Sequence, residues 1–265
     1  GLQHGFIYRH WLNYQHEPDE FEPRGDDRGY PVPDQTLVFD GYAVEHLRTA
    51  GHFPPHTLTV TGSPRLDLLA AQLHVVTPAE ASAVRDAVGA VRPEQKLVVL
   101  AAKFSEIRDD LPALVDALRE EPDIHLVIKA HPAERADVYT PLVDGVYNIT
   151  VAAADLDLAS LLGAADLIVT KNSTVAYDGL ALGIPALVIG LPNNLSPLVD
   201  AGVMAAPTDG LRACLRAVLY DQQVQDRLRD ATVAFVAAHG LVATGTAAER
   251  AADVIMKRES QASDR

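Results

Sequence analysis

The fold is decided by a short apolar run, Lys96-Leu97-Val98-Val99-Leu100-Ala101. An uninterrupted apolar run of this length is typical of a strand buried on both faces of a parallel sheet. Similar runs follow at 125–129, 147–151, 166–170 and 186–189, with helical patterns between them. Because strands that alternate with helices form right-handed βαβ units, the sequence predicts an α/β fold with a Rossmann-like, doubly wound parallel sheet.

The residues before this sheet differ from it in composition and periodicity. Residues 1–35 are rich in aromatic, polar and proline residues without a helical or alternating period, which indicates loop and turns. Short strands are predicted at 36–39 and 57–61, with a helix over 42–50, and residues 65–93 are predicted to be mostly helical. Beyond the fifth strand of the sheet, a short sixth strand is predicted at 202–204 and two helices at 208–219 and 222–238.

Composition narrows the class of protein. The chain has 265 residues and a net charge of −14, which argues against a general nucleic-acid binder but still permits a small phosphate pocket. A single cysteine, Cys214, excludes an internal disulfide and a cysteine zinc site, and a reducing cytoplasm is expected. No apolar run is long enough to span a membrane, so at most a peripheral association with its inner face is expected.

Polar residues stand at the carboxyl ends of the predicted strands, where ligands of such sheets bind. The second strand ends in Lys129 and His131, which supply a point charge and a hydrogen-bond donor suited to phosphate. The first ends near Lys103 and Ser105, which are candidate phosphate contacts. For His131 the alternative is a residue that caps the next helix, and for Lys103 and Ser105 it is a solvated loop.

The fourth strand ends in a second polar segment, made of Lys171, Asn172, Ser173 and Thr174 at the start of a helix. The free N–H groups of a helix N-terminus favour phosphate, and Asp178, one turn on, is a candidate ribose contact. The alternative is capping alone for Ser173 or Asn172, and a contact with a neighbouring loop for Asp178. Neither a G-x-G-x-x-G fingerprint nor a Walker loop is present, which disfavours NAD and P-loop chemistry.

His4 is the candidate catalytic residue outside this sheet. It lies in Gln3-His4-Gly5 and could act as a general base, or be a histidine at the surface or the core edge. His10 and His16 follow at a spacing that matches no common zinc pattern, so no metal site is expected.

Several motifs together resemble a group of bacterial GT-B-fold transferases. This group includes capsular polysaccharide glycosyltransferases, sialyltransferases with an HP motif and CDP-glycerol glycerophosphotransferases. The resemblance covers roughly residues 1–200 and departs from the group at Asp40-Gly41, where a Gly-Glu or similar pair is common; the acidic base motif of the sialyltransferases is not visible. The motifs that carry it are Gln3-His4-Gly5, Val38-Phe39-Asp40-Gly41-Tyr42, Val60-Thr61-Gly62-Ser63-Pro64-Arg65-Leu66-Asp67, Lys129-Ala130-His131-Pro132 and the segment 166–185.

The resemblance implies a domain organisation. Residues 1–60 would be the end of an incomplete N-terminal acceptor-side domain, and 61–95 a connecting segment. Residues 96–240 would be the donor nucleotide-binding domain, and 241–265 a C-terminal helix and tail. Because the chain opens at Gly1 inside a motif, upstream sequence is expected to be missing.

The resemblance also implies a reaction. His131 and Ser173-Thr174 would contact the donor phosphate, and His4 would lie at the interdomain cleft as a base or a phosphate contact. We expect a metal-independent transferase without a resident cofactor that moves a sugar or polyol-phosphate from a nucleotide-activated donor to a glycan or lipid-linked acceptor. The alternatives are a UDP-N-acetylglucosamine 2-epimerase-like enzyme, a non-catalytic nucleotide-sugar-binding module and a purely structural Rossmann-like domain.

Overall fold

The computed structural model describes residues 1–8, 11–22, 31–90, 92 and 94–263. These form two compact units, one made of Gly1–Leu68 with Val236–Arg265 and the other of Leu69–Phe235. The domain boundaries that the resemblance implies stay a prediction.

The strands of the described residues pair in parallel within two sheets. The smaller sheet has the order β1-β2, and the larger one has five strands in the order β5-β4-β3-β6-β7. The predicted doubly wound α/β fold is therefore confirmed. The strands are β1 (Thr36–Val38), β2 (Leu58–Val60), β3 (Lys96–Ala102), β4 (Ile124–Ala130), β5 (Ile149–Val151), β6 (Leu167–Thr170) and β7 (Ala186–Val188).

Burial on both faces explains why the strands of the larger sheet are uninterrupted apolar runs. On β3, Val98 and Leu100 belong to one core cluster, whereas Leu97 and Val99 belong to a second cluster on the opposite face. All four are 0% exposed. Successive side chains of a strand point to opposite faces. Because both faces are buried, the interior of the central strand carries no polar residue.

Helices connect the strands and cover the faces of the sheet. Helix α8 follows the sequence signals closely, because Ser173 caps its N-terminus and Gly183 ends it in the left-handed conformation, at φ 71°. The helices are α1 (Gly41–Thr49), α2 (Pro64–His74), α3 (Pro78–Ala87), α4 (Phe104–Ile107), α5 (Leu111–Arg119), α6 (Thr140–Val143), α7 (Leu158–Gly163), α8 (Thr174–Leu182), α9 (Ser196–Asp200), α10 (Leu211–Tyr220), α11 (Gln222–His239) and α12 (Ala247–Ser263).

The prediction that residues 65–93 are mostly helical is confirmed. They form two helices, because Thr77 and Glu80 form a capping box and Pro78 begins α3. One predicted element differs from the structure. The sixth strand predicted at 202–204 is absent from the described elements; Ala205 instead makes a single parallel bridge with Leu187. One bridge is too short to form a strand.

The smaller unit is built around β1 and β2. Residues predicted as loop add to its sheet, since Leu2 bridges Leu37 in parallel and the Gln3 N–H donates to the Leu37 carbonyl at 2.9 Å. Two 3-10 helices, Leu12–Tyr14 and Pro18–Phe21, lie in the same stretch. Within the described ranges, no helix is both long and apolar enough for a bilayer crossing.

Candidate functional site at the carboxyl edge of the sheet

The strand order reverses between β3 and β6, which is the switch point of the larger sheet. In open α/β sheets, ligands bind in the crevice outside the carboxyl ends of the strands at this point. A buried hydrogen bond joins the two strands there, because the Thr170 hydroxyl donates to the Ala101 carbonyl at 2.6 Å. On the other side of β3, Lys129 of β4 is in register with Ala101. The polar strand ends predicted from the sequence therefore meet at one edge of the sheet, at the carboxyl ends of β4, β3 and β6. We call this the switch-point edge.

The loop after β3 is tied to the loop after β4. The Phe104 N–H, at the start of α4, donates to a carboxylate oxygen of Glu134 at 2.7 Å. The Tyr139 hydroxyl donates to the Ala102 carbonyl at 3.2 Å, and burial raises the pKa of Tyr139, so it stays a donor. Lys103 and Ser105 are exposed beside this link. Because Glu134 already occupies the first N–H of α4, that group is not available to a ligand.

His131 lies in a tight turn at the end of β4. The Glu134 N–H donates to the His131 carbonyl at 2.9 Å, which closes a four-residue turn with Pro132 at its second position. The Ala133 N–H donates to Nδ1 of His131 at 3.1 Å. A nitrogen that accepts cannot carry the proton, so neutral His131 is protonated at Nε2 and presents an N–H donor on an exposed ring.

Lys129 has a different surrounding from the one expected for a phosphate contact. Its ammonium donates to the carbonyls of Ala153 and Ala154 at 3.3 and 3.1 Å, in the loop that follows β5. The structure thus places Lys129 as a tie between the ends of β4 and β5, with one of its three N–H groups left over.

The loop after β6 is also tied to its neighbours. The Lys171 ammonium forms an ion pair with Asp110 at 2.7 Å, and both side chains are about three-quarters buried. The Asn172 side-chain oxygen accepts from the Asn194 N–H at 3.4 Å. The positive charge of Lys171 is therefore held at the edge of the sheet by an acidic partner.

The start of α8 provides a partly buried helix N-terminus. The Ser173 hydroxyl accepts from the Val175 N–H at 3.2 Å, which is the capping role that the sequence left open, and Thr174 begins the helix. The Ser173 N–H is itself held by the Thr170 hydroxyl at 3.0 Å. Asp178 is only 2% exposed and lies on the buried side of the helix, and its role as a ribose contact stays a prediction.

His4 belongs to the smaller unit. Its ring is exposed and meets Trp11 edge-on, with ring centroids 5.1 Å apart and planes at 86°. His16 is buried and contacts Glu20 and the Asn13 carbonyl, which fits a structural histidine. His10 lies outside the described residues. Within those residues, no group of three His, Cys, Asp or Glu side chains is arranged to hold a metal ion.

Two residues that the sequence did not single out act on the carboxyl-edge site: Glu134 links the β3 and β4 loops, and Asp110 pairs with Lys171. In the smaller unit, the Gln3 side chain bridges two backbone groups beside His4. Glu134 lies only two residues after the His131-Pro132 pair, so its position in the sequence could have indicated a role in the site. Asp110 and Lys171 are 61 residues apart, so no local pattern could have joined them.

The fold is shared with solved structures. A UDP-GlcNAc 2-epimerase from Neisseria meningitidis bound to UDP-GlcNAc has a TM-score of 0.63 at 15% identity, over 84% of this chain and 62% of that one. The wall teichoic acid polymerase TagF has a TM-score of 0.61 at 17% identity, over 88% of this chain and 59% of that one. MnaA from S. aureus, solved with UDP, has a TM-score of 0.63 at 17% identity, over 86% and 62%.

These likenesses confirm the predicted GT-B type of fold. The chain spans 59 to 62% of the length of these three proteins. At 15 to 17% identity the likeness establishes the fold and nothing further. No protein-family model matches the sequence, and no curated protein sequence is significantly similar to it.

Proposed function

We propose that this chain binds a nucleotide-activated donor and takes part in transferring its sugar or polyol-phosphate group to a hydroxyl of a glycan or lipid-linked acceptor. The observation that carries the proposal is the exposed Nε2–H of His131 at the switch-point edge, with its tautomer set by the Ala133 N–H. The GT-B type of fold supports it, because the similar proteins include structures with bound UDP-GlcNAc and UDP.

Donor phosphates would be bound by groups from three strand ends. His131 donates through Nε2, and exposed Lys103 supplies a charge from the β3 loop. The N-terminus of α8 adds its helix dipole, and Lys171 adds a positive charge that Asp110 holds in place. Such preorganised donors stabilise the negative charge that develops on a departing nucleotide.

In the transfer step, His4 accepts the proton of the acceptor hydroxyl as its oxygen attacks the donor. If a sugar is transferred, the bond between the anomeric carbon and the phosphate oxygen breaks and a nucleoside diphosphate leaves. If a polyol-phosphate is transferred, the bond between the two phosphates breaks and a nucleoside monophosphate leaves. The electron pair of the broken bond remains on the nucleotide, where the phosphate donors neutralise it.

Calorimetric titration with CDP and UDP tests the binding part. We expect one of them to bind, and His131→Ala to weaken that binding by about tenfold, the value of one charge-assisted hydrogen bond. His74→Ala is the matched control, because His74 is an exposed histidine of the same unit at the end of α2. Equal affinities for the His131→Ala protein and the wild type would refute the role of His131.

Product analysis separates transfer from the second candidate, a UDP-GlcNAc 2-epimerase-like activity, which the shared fold with the Neisseria meningitidis enzyme favours. CDP-glycerol and UDP-GlcNAc are incubated with the chain, with and without glycerol as a probe acceptor, and both the nucleotides and the acceptor products are resolved. Release of CMP or UDP together with a glycerol adduct supports transfer, and conversion of UDP-GlcNAc to its 2-epimer supports the epimerase. Tight binding without any turnover supports a non-catalytic binding module.

A further inference from the structure

Gln3 is a buried amide next to an exposed histidine. Gln3 is 3% exposed, yet both the oxygen and the nitrogen of its side-chain amide form hydrogen bonds. The side-chain oxygen accepts from the Phe39 N–H at 2.8 Å, and the side-chain nitrogen donates to the Gly5 carbonyl at 2.8 Å. One partner requires an acceptor and the other a donor, so the orientation of the amide is fixed by its surroundings.

These bonds fix the backbone on both sides of His4. The Gln3 N–H is held by the Leu37 carbonyl at 2.9 Å, so the residue before His4 is part of the sheet of the smaller unit. The residue after it, Gly5, is held by the Gln3 side chain. The chain therefore turns out of the sheet at His4 along a path that the amide defines, and the imidazole projects from that turn.

The His4 ring itself is held only loosely. Within the described part of the chain, its ring contact is the edge-on approach to Trp11, at 5.1 Å between centroids. Aromatic pairs of this kind contribute about 0.5–1.5 kcal/mol, which biases a rotamer without locking it. The direction in which His4 projects thus depends chiefly on its backbone, and so on Gln3.

A purely structural role would not require an amide at this position. Methionine has a similar length and would fill the same buried space, but it would leave the Phe39 N–H and the Gly5 carbonyl without these partners. The hydrogen bonds of Gln3 determine the shape of the His4 loop, whereas its volume serves the packing.

We propose that Gln3 is a positioning residue for His4, setting the backbone from which the imidazole reaches the acceptor hydroxyl. This inference rests on the proposed function, in which His4 is the base. Gln3 itself touches neither substrate nor the reacting atoms.

The test compares Gln3→Met with Gln35→Met in the full chain. Gln35 precedes β1, at its opposite end from Phe39, and its side chain donates to the Thr59 hydroxyl at 2.7 Å. Losing it also removes a hydrogen bond of the same sheet, but far along the strand from His4. The first readout is the nuclear Overhauser contact between the His4 and Trp11 rings, and the second is kcat for nucleotide release from CDP-glycerol and UDP-GlcNAc with glycerol as the probe acceptor.

We expect Gln3→Met to lose the ring contact and to lower kcat by about 100-fold, the usual consequence of a base displaced by about 1 Å, with the affinity for CDP and UDP unchanged. Gln35→Met should keep both the ring contact and kcat. If Gln3→Met does not fold, Gln3→Asn replaces it, because its side chain is one methylene shorter and cannot reach both the Phe39 N–H and the Gly5 carbonyl.

Ring contacts and kcat that are the same in Gln3→Met and Gln35→Met would overturn the proposal and leave Gln3 with a structural role. Failure of the proposed function has a separate signature: His4→Ala would then release nucleotide at the wild-type rate. The ring contact does not depend on turnover, so it reports on Gln3 in either case.

Discussion

His131 and His4 are both exposed histidines that follow a chain segment paired in a parallel sheet, but they are held in opposite ways. The ring of His131 is tied to its own turn by the Ala133 N–H, and its loop is joined to the β3 loop through Glu134. Within the described residues, the contact of the His4 ring is an aromatic edge contact with Trp11, whereas its backbone is fixed by Gln3.

This difference separates two kinds of chemistry. A histidine whose Nδ1 already accepts a hydrogen bond is a fixed donor at Nε2, which suits binding of a phosphate. A histidine with an unconstrained ring can take up and release a proton at either nitrogen, which suits a general base. Substitution of the two histidines should therefore have different effects on turnover and on nucleotide affinity.

The largest expected effect is on turnover. His4→Ala should lower kcat for nucleotide release by about 10²- to 10⁴-fold, the usual contribution of a general base, while the affinity for CDP or UDP stays unchanged. His131→Ala should weaken nucleotide affinity as well as turnover. Steady-state kinetics and calorimetry on the same samples measure both quantities.

His56→Ala is the control for His4, because His56 is an exposed histidine of the same unit in a short 3-10 turn. It should behave as the wild type. A His4→Ala protein that loses nucleotide affinity as much as His131→Ala would remove the distinction between the two histidines.

A smaller effect is expected on stability, and it tests how much the Thr170 hydrogen bonds stabilise the edge of the sheet near His131. Thr170→Val removes the buried hydroxyl that donates to Ala101 and accepts from the Ser173 N–H. We expect the free energy of unfolding to fall by about 1–3 kcal/mol, the cost of leaving such groups unpaired. Urea denaturation followed by circular dichroism measures it.

Thr49→Val is the matched control, since the Thr49 hydroxyl donates to the Glu45 carbonyl on the exposed face of α1. Its stability should change by less than about 0.5 kcal/mol. Equal losses in the two variants would mean that the Thr170 hydrogen bonds do not hold the switch-point edge.

The sequence predicted the sheet well because burial on both faces leaves a local signal. The apolar runs of β3 and β6 and the cap residues Ser173 and Gly183 are read without any knowledge of distant contacts. Residues 65–93 were predicted as mostly helical without a boundary inside them, whereas the capping box of Thr77 and Glu80 begins a separate helix, α3, at Pro78.

The site was predicted less completely, because its residues are fixed by partners remote in sequence. The residue types at the strand ends indicated phosphate chemistry, but not that Lys129 is held by the Ala153 carbonyl or Lys171 by Asp110. The sequence also did not reveal that the packing of α8 buries Asp178.

The smallest expected effect is on the pH dependence of the free energy of unfolding. Two histidines contribute to it, one partly buried in the smaller unit and one fully buried in the larger unit. Burial lowers the pKa of His46, and burial also lowers the pKa of His125 in spite of a hydrogen bond with the Val88 backbone. The unfolded chain, with pKa values near 6.5, therefore binds protons first as the pH falls. Their contribution to stability is complete above that pH and declines below it, towards the lowered folded-state pKa values.

Urea midpoints at about pH 7.5 and about pH 5.5 measure this decline, because the window brackets histidine titration. Burial alone would raise the pKa of Asp67 and of Asp166, but hydrogen bonds lower both below the ordinary value of 3.8, so these carboxyls titrate below the window. His125→Gln should show a smaller difference between the two midpoints than the wild type. An unchanged difference would mean that His125 does not contribute to the pH dependence.

Chemical-shift mapping with CDP and UDP tests the central claim, that the switch-point edge of the larger sheet is a nucleotide phosphate site. We expect the backbone amides of 103–106, 131, 133–134 and 171–175 to shift most, and the Nε2–H of His131 to be protected from exchange by the bound nucleotide. Shifts concentrated at the opposite edge of the sheet, around Lys96 and Asp166, would contradict it.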